Sequence, residues 1–597
     1  MHGGPGFAVV GVLDRTTIFA VVAGFLLMLV SVGLVFRRFS TNTSDYFRAG
    51  GKATWWLLGG SLFMQSFSAW TFTGAAGAAF QAGWSLPVMF IGNVLAFAAN
   101  AAFSAGWVRQ LRCVTGADLV RLRFGPGMEQ FTAYLGMIMG PIYGGVQLYG
   151  LAIFTSTLLA VNVNYTIVLL GVVVLFYAAL SGAWAVLAAD FIKALVLMPI
   201  SILLAVVCLG KVGGISGLLA AINHAGLTAA FSPVKSAEVP TTMTGVDPNW
   251  FTLAFFFAWY VNLMINGLSL NNGGKFLSAK DGREARRAAA LAGGLFFLGL
   301  FIWFIPPITA RLLIADEVRA MPLANPVEGA YAAISIHLLP AGLVGLVLVG
   351  MCAATMSALD ASLTSLAGNI TQNIYPAACR LIRVAPWEGR ARFVLGKFFN
   401  LLCALTVISS ALAMARLGRG GIFKILMDVM ATVGAPIATP LMLGLFLRRV
   451  PVAAPYVSIA SGFVVSLSIY LSPLVASVKP WPFQYQMGAV VATSLITFLV
   501  VRALSRPDPA MIERETEFFS RRDRPVDFAA EIGVGNDGRQ LRIVGWFGVA
   551  IGSAVFLLLI PASSAGHAAA ISAVALSTLT IGGLMIGAGR KLLRENE

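Results

Sequence analysis

Charge is scarce in this chain: of 597 residues only 11% are charged, against 58% that are hydrophobic, and the mean hydropathy is +0.84. A water-soluble globular protein is excluded on that balance. Cysteine is sparse as well. Cys113, Cys208, Cys352, Cys379 and Cys403 have no paired spacing and form no CxxC or Cys/His cluster, which excludes a disulfide framework and a zinc site. Histidine occurs four times, at His2, His224, His337 and His567. All four fall in outer loops or at the ends of apolar runs, so a histidine proton relay through a membrane is not expected. The loops also lack a Ser-His-Asp set, a metal-ligand set and a phosphate-binding loop, which leaves a membrane enzyme without a nucleophile, a base or a metal.

What the chain does have is long apolar runs. A hydrocarbon layer roughly 30 Å thick takes ~20 apolar residues in a helix to cross. Such runs fall at about 17 to 36, 54 to 80, 84 to 108, 128 to 160, 165 to 181, 184 to 210, 250 to 272, 288 to 310, 340 to 372, 393 to 415, 421 to 447, 453 to 472, 485 to 501, 543 to 561 and 567 to 589. The expectation is an all-α integral membrane protein with about fifteen transmembrane spans. The junction at Ser181-Gly182-Ala183 divides two neighbouring spans. A transmembrane β-barrel is excluded, because its strands alternate over ~10 residues and do not run apolar without interruption.

The basic residues follow the topology. With the N-terminus outside, the loops that alternation places in the cytoplasm hold thirty of the 41 lysines and arginines, eight lie on the opposite side, and Lys193, Lys397 and Lys424 lie within spans. The positive-inside rule therefore gives an outer N-terminus and a cytoplasmic C-terminus; the expected location is a bacterial cytoplasmic membrane. It also accounts for the formal charge of +16 without nucleic acid. Met1 to Asp14 has no basic n-region, so the first span is not expected to be a cleaved signal peptide. Residues 502 to 542 read as a charged cytoplasmic linker with one short helix around Met511 to Arg521, too short for a catalytic domain.

The second span carries GGSLFMQSFSAWTFTGAAGAAFQAG, Gly59 to Gly83, with five glycines and a cluster of hydroxyl residues at membrane depth. Two readings fit. Gly59, Gly60, Gly74 and Gly77 with Ser66, Ser68, Thr71 and Thr73 suit a helix that unwinds and leaves carbonyls free for a cation, or a helix packed closely on its neighbours. Ionisable residues inside spans are costly, on the order of 2.5 to 3.5 kcal/mol each, so each is a functional candidate. Asp190 has Lys193 three residues on, and Asp428 has Lys424 four residues before it. Both spacings put the pair on one helix face and allow an internal ion pair. Asp360 has no cation on its own span, only the hydroxyls of Thr355, Ser357, Ser362, Thr364 and Ser365. It is expected to bind a cation, carry a proton, or pair with another helix.

Several motifs, in order along the chain, resemble the sodium:solute symporter family. Asp45 to Gly83 resembles the region around that family's first core helix, VLAADFIK (Val186 to Lys193) resembles the helix that carries its intramembrane aspartate, and LSAKDGREARRAAA (Leu277 to Ala290) resembles its basic loop after the sixth core helix. The likeness runs from about Asp45 to Arg449. It implies a LeuT-like 5+5 inverted-repeat core with extra peripheral helices, dividing the chain as follows: 1–53 an N-terminal helix and loop, 54–210 the first repeat, 250–448 the second, 449–504 peripheral helices, 505–542 the linker, and 543–597 a C-terminal helix pair. The span directions agree, since span two runs inward to outward and span seven the reverse.

By this resemblance, sodium would take the carbonyls of Met64, Phe67 and Ala354 and the hydroxyl of Ser357. The family's usual second hydroxyl is replaced by Ala358, and Asp360 falls where some members place a further hydroxyl, near the aspartate matching Asp190. Two readings follow: a modified sodium site using Asp360 and Asp190, or proton coupling through one of them. Solute contacts would come from Ser66, Trp70, Thr71 and Asn266, with Trp84 as a further candidate. Thr71 and Ile265 stand where sugar-transporting members carry their amide and tyrosine pattern, which leans the solute toward an amino acid or small carboxylate. The expected function is secondary active symport of a small-molecule solute, with sodium or protons as coupling ion, the lipid bilayer as partner, and no organic cofactor. A transporter-like membrane sensor acting through the linker is the alternative.

Overall fold

The structure is a computed structural model that describes residues 15–36, 48–180, 183–236, 238, 246–417, 421–476, 481–506, 508–533, 535–560 and 564–595. Met1 to Asp14 and the Ser181-Gly182 junction lie outside these residues. Secondary structure among them is helical, apart from one isolated parallel bridge between Ala53 and Ala279. The helices that position the site are α1 (Arg15–Phe36), α2 (Trp55–Ser66), α3 (Gly74–Ala82), α4 (Pro126–Leu159), α5 (Ala183–Lys211), α6 (Leu253–Leu268), α7 (Gly282–Leu300), α8 (Ala341–Asn369), α9 (Gly421–Val429) and α10 (Pro509–Asp523).

Every apolar run read from the sequence contains helix over its described residues, and those at 54 to 80, 250 to 272 and 288 to 310 are interrupted. Among those residues, eleven helices have the length and hydropathy to cross a bilayer, or twelve if the bent pair Leu253–Leu268 and Leu270–Ser278 is one span. The figure of about fifteen crossings stays an expectation of the sequence. The second run contains no single helix long enough to cross a bilayer, because it is broken into α2, a 3-10 turn at Ala69–Phe72, and α3. The first and fifth runs form the helices Arg15–Phe36 and Val163–Leu180.

The centre of the protein is α8, buried along the apolar window that qualifies it as a span. It packs against α4 and α5, and α5 packs in turn against α2. These helices meet backbone to backbone because the residues at their crossings are small. A Cβ on Gly59 would come within 2.9 Å of the Ala288 carbonyl of α7, and one on Gly60 within 2.6 Å of the Phe191 ring of α5. For these two glycines the close-packing reading holds. The C-terminal pair Asp537–Phe556 and Ala565–Glu595 uses the same device, since a Cβ on Gly582 would meet the Gly545 carbonyl at 2.8 Å.

The 502 to 542 segment contains the expected short helix, α10, capped by Asp508 and started by Pro509. It is docked against the core beside Arg112 and Arg123. Phe518 and Phe519 are buried, and the Arg123 guanidinium lies 5.4 and 5.3 Å from their ring centroids. Arg112 grips Glu531 through two hydrogen bonds of 2.8 and 2.7 Å.

Candidate functional site

Among the described residues, two of the helix interruptions lie close to Asp190 and Asp360. In the first half α2 ends at Ser66, and Phe67 and Ser68 are extended before the chain turns through the 3-10 segment into α3. In the second half α6 ends at Leu268, Ser269 is extended, and a 3-10 segment, Leu270–Ser278, leaves at 55°. Backbone groups freed inside a membrane need partners, and α8 supplies one. The Ala69 N–H donates to Thr355 Oγ at 3.0 Å, while the Thr73 hydroxyl donates to the Ala69 carbonyl at 2.9 Å. Thr355 lies two residues before Ser357, so the first break sits beside the stretch of α8 that carries Ser357 and Asp360.

Four charged side chains converge there. Asp190 of α5 is fully buried and accepts a 2.5 Å hydrogen bond from the Ser61 hydroxyl. Its carboxylate faces two ammonium groups, Lys193 Nζ at 3.5 Å and Lys275 Nζ at 3.4 Å. The same-face pairing of Asp190 with Lys193 expected from their spacing is therefore present, and a third residue joins it. Lys275 had been placed by the sequence in a cytoplasmic loop; it sits instead on the broken segment and also donates to the Ser61 carbonyl at 3.1 Å. The run NNGGK, with two glycines directly after an apolar span, was the available signal. Asp428 and Lys424 form the other expected pair at 2.5 Å, partly exposed, and need no further explanation.

Lys193 does more than neutralise Asp190. Fully buried, it donates to Ser357 Oγ at 3.0 Å across the gap between α5 and α8. Ser357 in turn donates to the Ala353 carbonyl at 3.0 Å. The hydroxyl that resemblance assigns to sodium thus already faces a cation, and Ala358 offers no second hydroxyl. Met64 lends its carbonyl to the Phe67 N–H at 3.4 Å. The residues at this position do not fit a sodium ion in this structure.

Asp360 is different in kind. It is fully buried, and among the described residues neither carboxylate oxygen has a hydrogen-bond partner. A buried, unbonded carboxylate is expensive unless a cation or proton reaches it. Hard oxygen donors of this kind suit an alkali cation.

On the solute side, Asn266 donates to the side-chain oxygen of Asn262 at 2.8 Å, and Asn272 reaches back across the second break to the Asn266 carbonyl at 2.8 Å. The Asn262 Nδ2 group is buried with no partner among the described residues. A Cβ on Gly434 would lie 3.1 Å from Tyr143 Oη and 3.8 Å from Asn266 Oδ1, so three spans approach one another there. Ser66, Asn271 and Asn272 are exposed at the two breaks. Trp70 is buried between Phe90 and Phe423, stacked at centroid distances of 6.1 and 5.7 Å, and its Nε1 has no partner among the described residues. Thr71 is buried on the same turn. Trp84 lies apart at the far end of α3, where its N–H donates to the Phe231 carbonyl at 3.3 Å. Sequence reasoning did not single out Tyr143, Asn262, Asn272 or Phe423. Of these, only the pair Asn262 and Asn266, four residues apart in an apolar span, left a readable pattern.

Comparison with known proteins gives the family and the fold. A sequence profile of the sodium:solute symporter family matches residues 46–455. The chain is 25% identical to the sodium/myo-inositol cotransporter 2 of Bos taurus, over 85% of this chain and 79% of the bovine protein. It is 24% identical to the sodium/glucose cotransporter 2 of Rattus norvegicus, over 76% and 72% of the two chains. Among solved structures, a Na+-coupled sialic acid symporter in a substrate-bound outward-open state superposes with a TM-score of 0.67 at 18% identity, covering 82% of this chain and 98% of that one. A nucleobase-cation-symport-1 family transporter gives 0.50 at 14% identity, covering 80% and 99%. The likeness to these structures establishes the fold.

Proposed function

Because this chain belongs to the sodium:solute symporter family, we propose that it is an integral membrane symporter, coupling the inward movement of a cation to uptake of a small organic solute by alternating access. The observation that carries the reading is Asp360, a fully buried carboxylate without a hydrogen-bond partner among the described residues, set beside two interrupted helices. Broken helices that meet at membrane depth are where transporters of this architecture bind ions and solutes. Sodium is the coupling ion favoured by the family and by the names of its relatives, and Asp360 is its ligand, with Asp190 holding the neighbouring ammonium groups in place. The N-terminus is outside and the C-terminus cytoplasmic, as the distribution of basic residues requires.

The solute lies between the breaks, against Ser66, Trp70, Thr71 and Asn266. The stack of Phe90, Trp70 and Phe423 closes one side of this space, and the exposed Ser66, Asn271 and Asn272 mark the side from which water reaches it. An amino acid or small carboxylate is the solute class favoured by Thr71 and Ile265. A polyol is the second reading: Asn262, Asn266 and Asn272 put three amides at the second break, and two relatives are named for inositol and glucose transport.

Uptake into proteoliposomes tests the function. The purified chain is given an inward sodium gradient or an inward pH gradient, with amino acids, carboxylates, myo-inositol and glucose as labelled solutes. Accumulation that follows sodium supports the reading and identifies the solute class, and accumulation that follows pH alone assigns Asp360 to a proton. Transport of every solute that ignores both gradients overturns it.

A further inference from the structure

We propose that the Lys193 ammonium is a tethered cation, filling the position beside Ser357 where the family resemblance puts a sodium ion. The contact is a built one. Lys193 extends from α5 across to α8, its amine is fully buried, and it donates to Ser357 Oγ at 3.0 Å while Asp190 lies 3.5 Å away. Nothing about the spacing of Lys193 from Asp190 requires that reach, since an internal ion pair needs only the one helix face.

Charge bookkeeping points the same way. Asp190 and Asp360 bring two negative charges to the cluster, and Lys193 and Lys275 bring two positive ones. A sodium ion on Ser357 Oγ would stand within a few ångström of the Lys193 ammonium and meet like charge there, whereas a cation on Asp360 meets a carboxylate with no hydrogen-bond partner among the described residues. Ligand chemistry agrees with the electrostatics. Ser357 spends its proton on the Ala353 carbonyl and offers its oxygen to the amine, and Ala358 removes the neighbouring hydroxyl that would complete a hard-oxygen set. The serine has thus become a hydrogen-bond acceptor for a cation that never leaves. A freely exchanging cation, where one binds, is directed to Asp360, one helical turn farther along α8. The inference deepens the cation-coupled reading above, but it concerns where a cation sits and is tested by binding, independently of transport.

The experiment uses the purified full-length protein in detergent, titrated with sodium chloride against choline chloride, with thermal unfolding and radioactive sodium binding as readouts. In the wild type, Ser357→Ala is expected to leave the sodium response unchanged within twofold, including the case of no response in either protein. Lys193→Met is expected to gain a sodium-dependent stabilisation, and Lys193→Met/Ser357→Ala to lose it by tenfold or more in half-saturating sodium. Lys193→Gln, which removes the charge and keeps a polar side chain, replaces the methionine variant if that chain does not fold. A tenfold or greater loss of wild-type sodium affinity on Ser357→Ala overturns the proposal, as does a folded Lys193 variant that gains no sodium response. The proposed function fails by a different result: uptake that ignores every cation gradient, whatever these binding titrations give.

Discussion

Asp190→Asn is the perturbation with the most direct consequence. The wild-type carboxylate is fully buried, holds two ammonium groups at 3.5 and 3.4 Å and accepts a 2.5 Å hydrogen bond from Ser61. Asparagine keeps the volume and removes the charge, leaving Lys193 and Lys275 with only Asp360 in the cluster. Breaking a buried pair from one side costs about 3–5 kcal/mol, because the abandoned charge stays desolvated. That is a loss of roughly 150- to 5,000-fold in the unfolding equilibrium. Lys193→Met is expected to cost less, since Asp190 still has Lys275. In the double variant Asp190→Asn/Lys193→Met the abandoned charge is absent, so it is expected to recover about 2 kcal/mol relative to the sum of the singles. Denaturant unfolding in mixed micelles, followed by tryptophan fluorescence, reads all four proteins. If the two substitutions add within about 0.5 kcal/mol, Asp190 and Lys193 do not compensate each other, and the neutral cluster inferred from their geometry is wrong.

Three other perturbations test separate parts of the molecule. Asp360→Asn is expected to raise the half-saturating cation concentration for uptake at least tenfold while leaving expression intact; unchanged cation dependence removes Asp360 from the ion site. Glu328 lies in the 3-10 turn Pro326–Gly329 between spans, where its carboxylate accepts from the Ile422 N–H at 2.5 Å, and burial pushes it up to about 7 from its ordinary value of 4.5. The folded chain therefore binds this proton more tightly than the unfolded one, so stability gains from Glu328 as pH falls from about 8 to about 5, by about 3 kcal/mol at most. Glu328→Gln is expected to remove that slope from a plot of melting temperature against pH, and an unaltered slope refutes the assignment. Phe423→Ala takes away one wall of the stack on Trp70. It is expected to raise, several-fold, the labelling of a Ser66→Cys variant by an impermeant thiol reagent applied from outside, against a low background from five buried native cysteines; equal labelling with and without Phe423 shows that the stack is not the barrier.

The sequence determined the solvent, the class and the family. Eleven percent charge and runs of ~20 apolar residues admit only membrane helices, and the order of the motifs from Asp45 to Arg449 anticipated the family whose profile matches residues 46–455. Glycines and hydroxyls in Gly59 to Gly83 also set this span apart from a lipid-facing anchor, but left open whether it unwinds or packs closely. The tertiary structure decided which of two local readings each residue follows. Gly59 and Gly60 serve close packing, while the chain opens later, at Phe67 and Ser68. It also decided the partners of the buried charges. Helical periodicity pairs Asp190 with Lys193 on one helix, but it carries no information about α8 or the segment after α6. The reach of Lys193 to Ser357, the arrival of Lys275 from an apparent loop, and the isolation of Asp360 all depend on distances between helices far apart in sequence. Those distances are set by packing around α8, and local composition does not encode them.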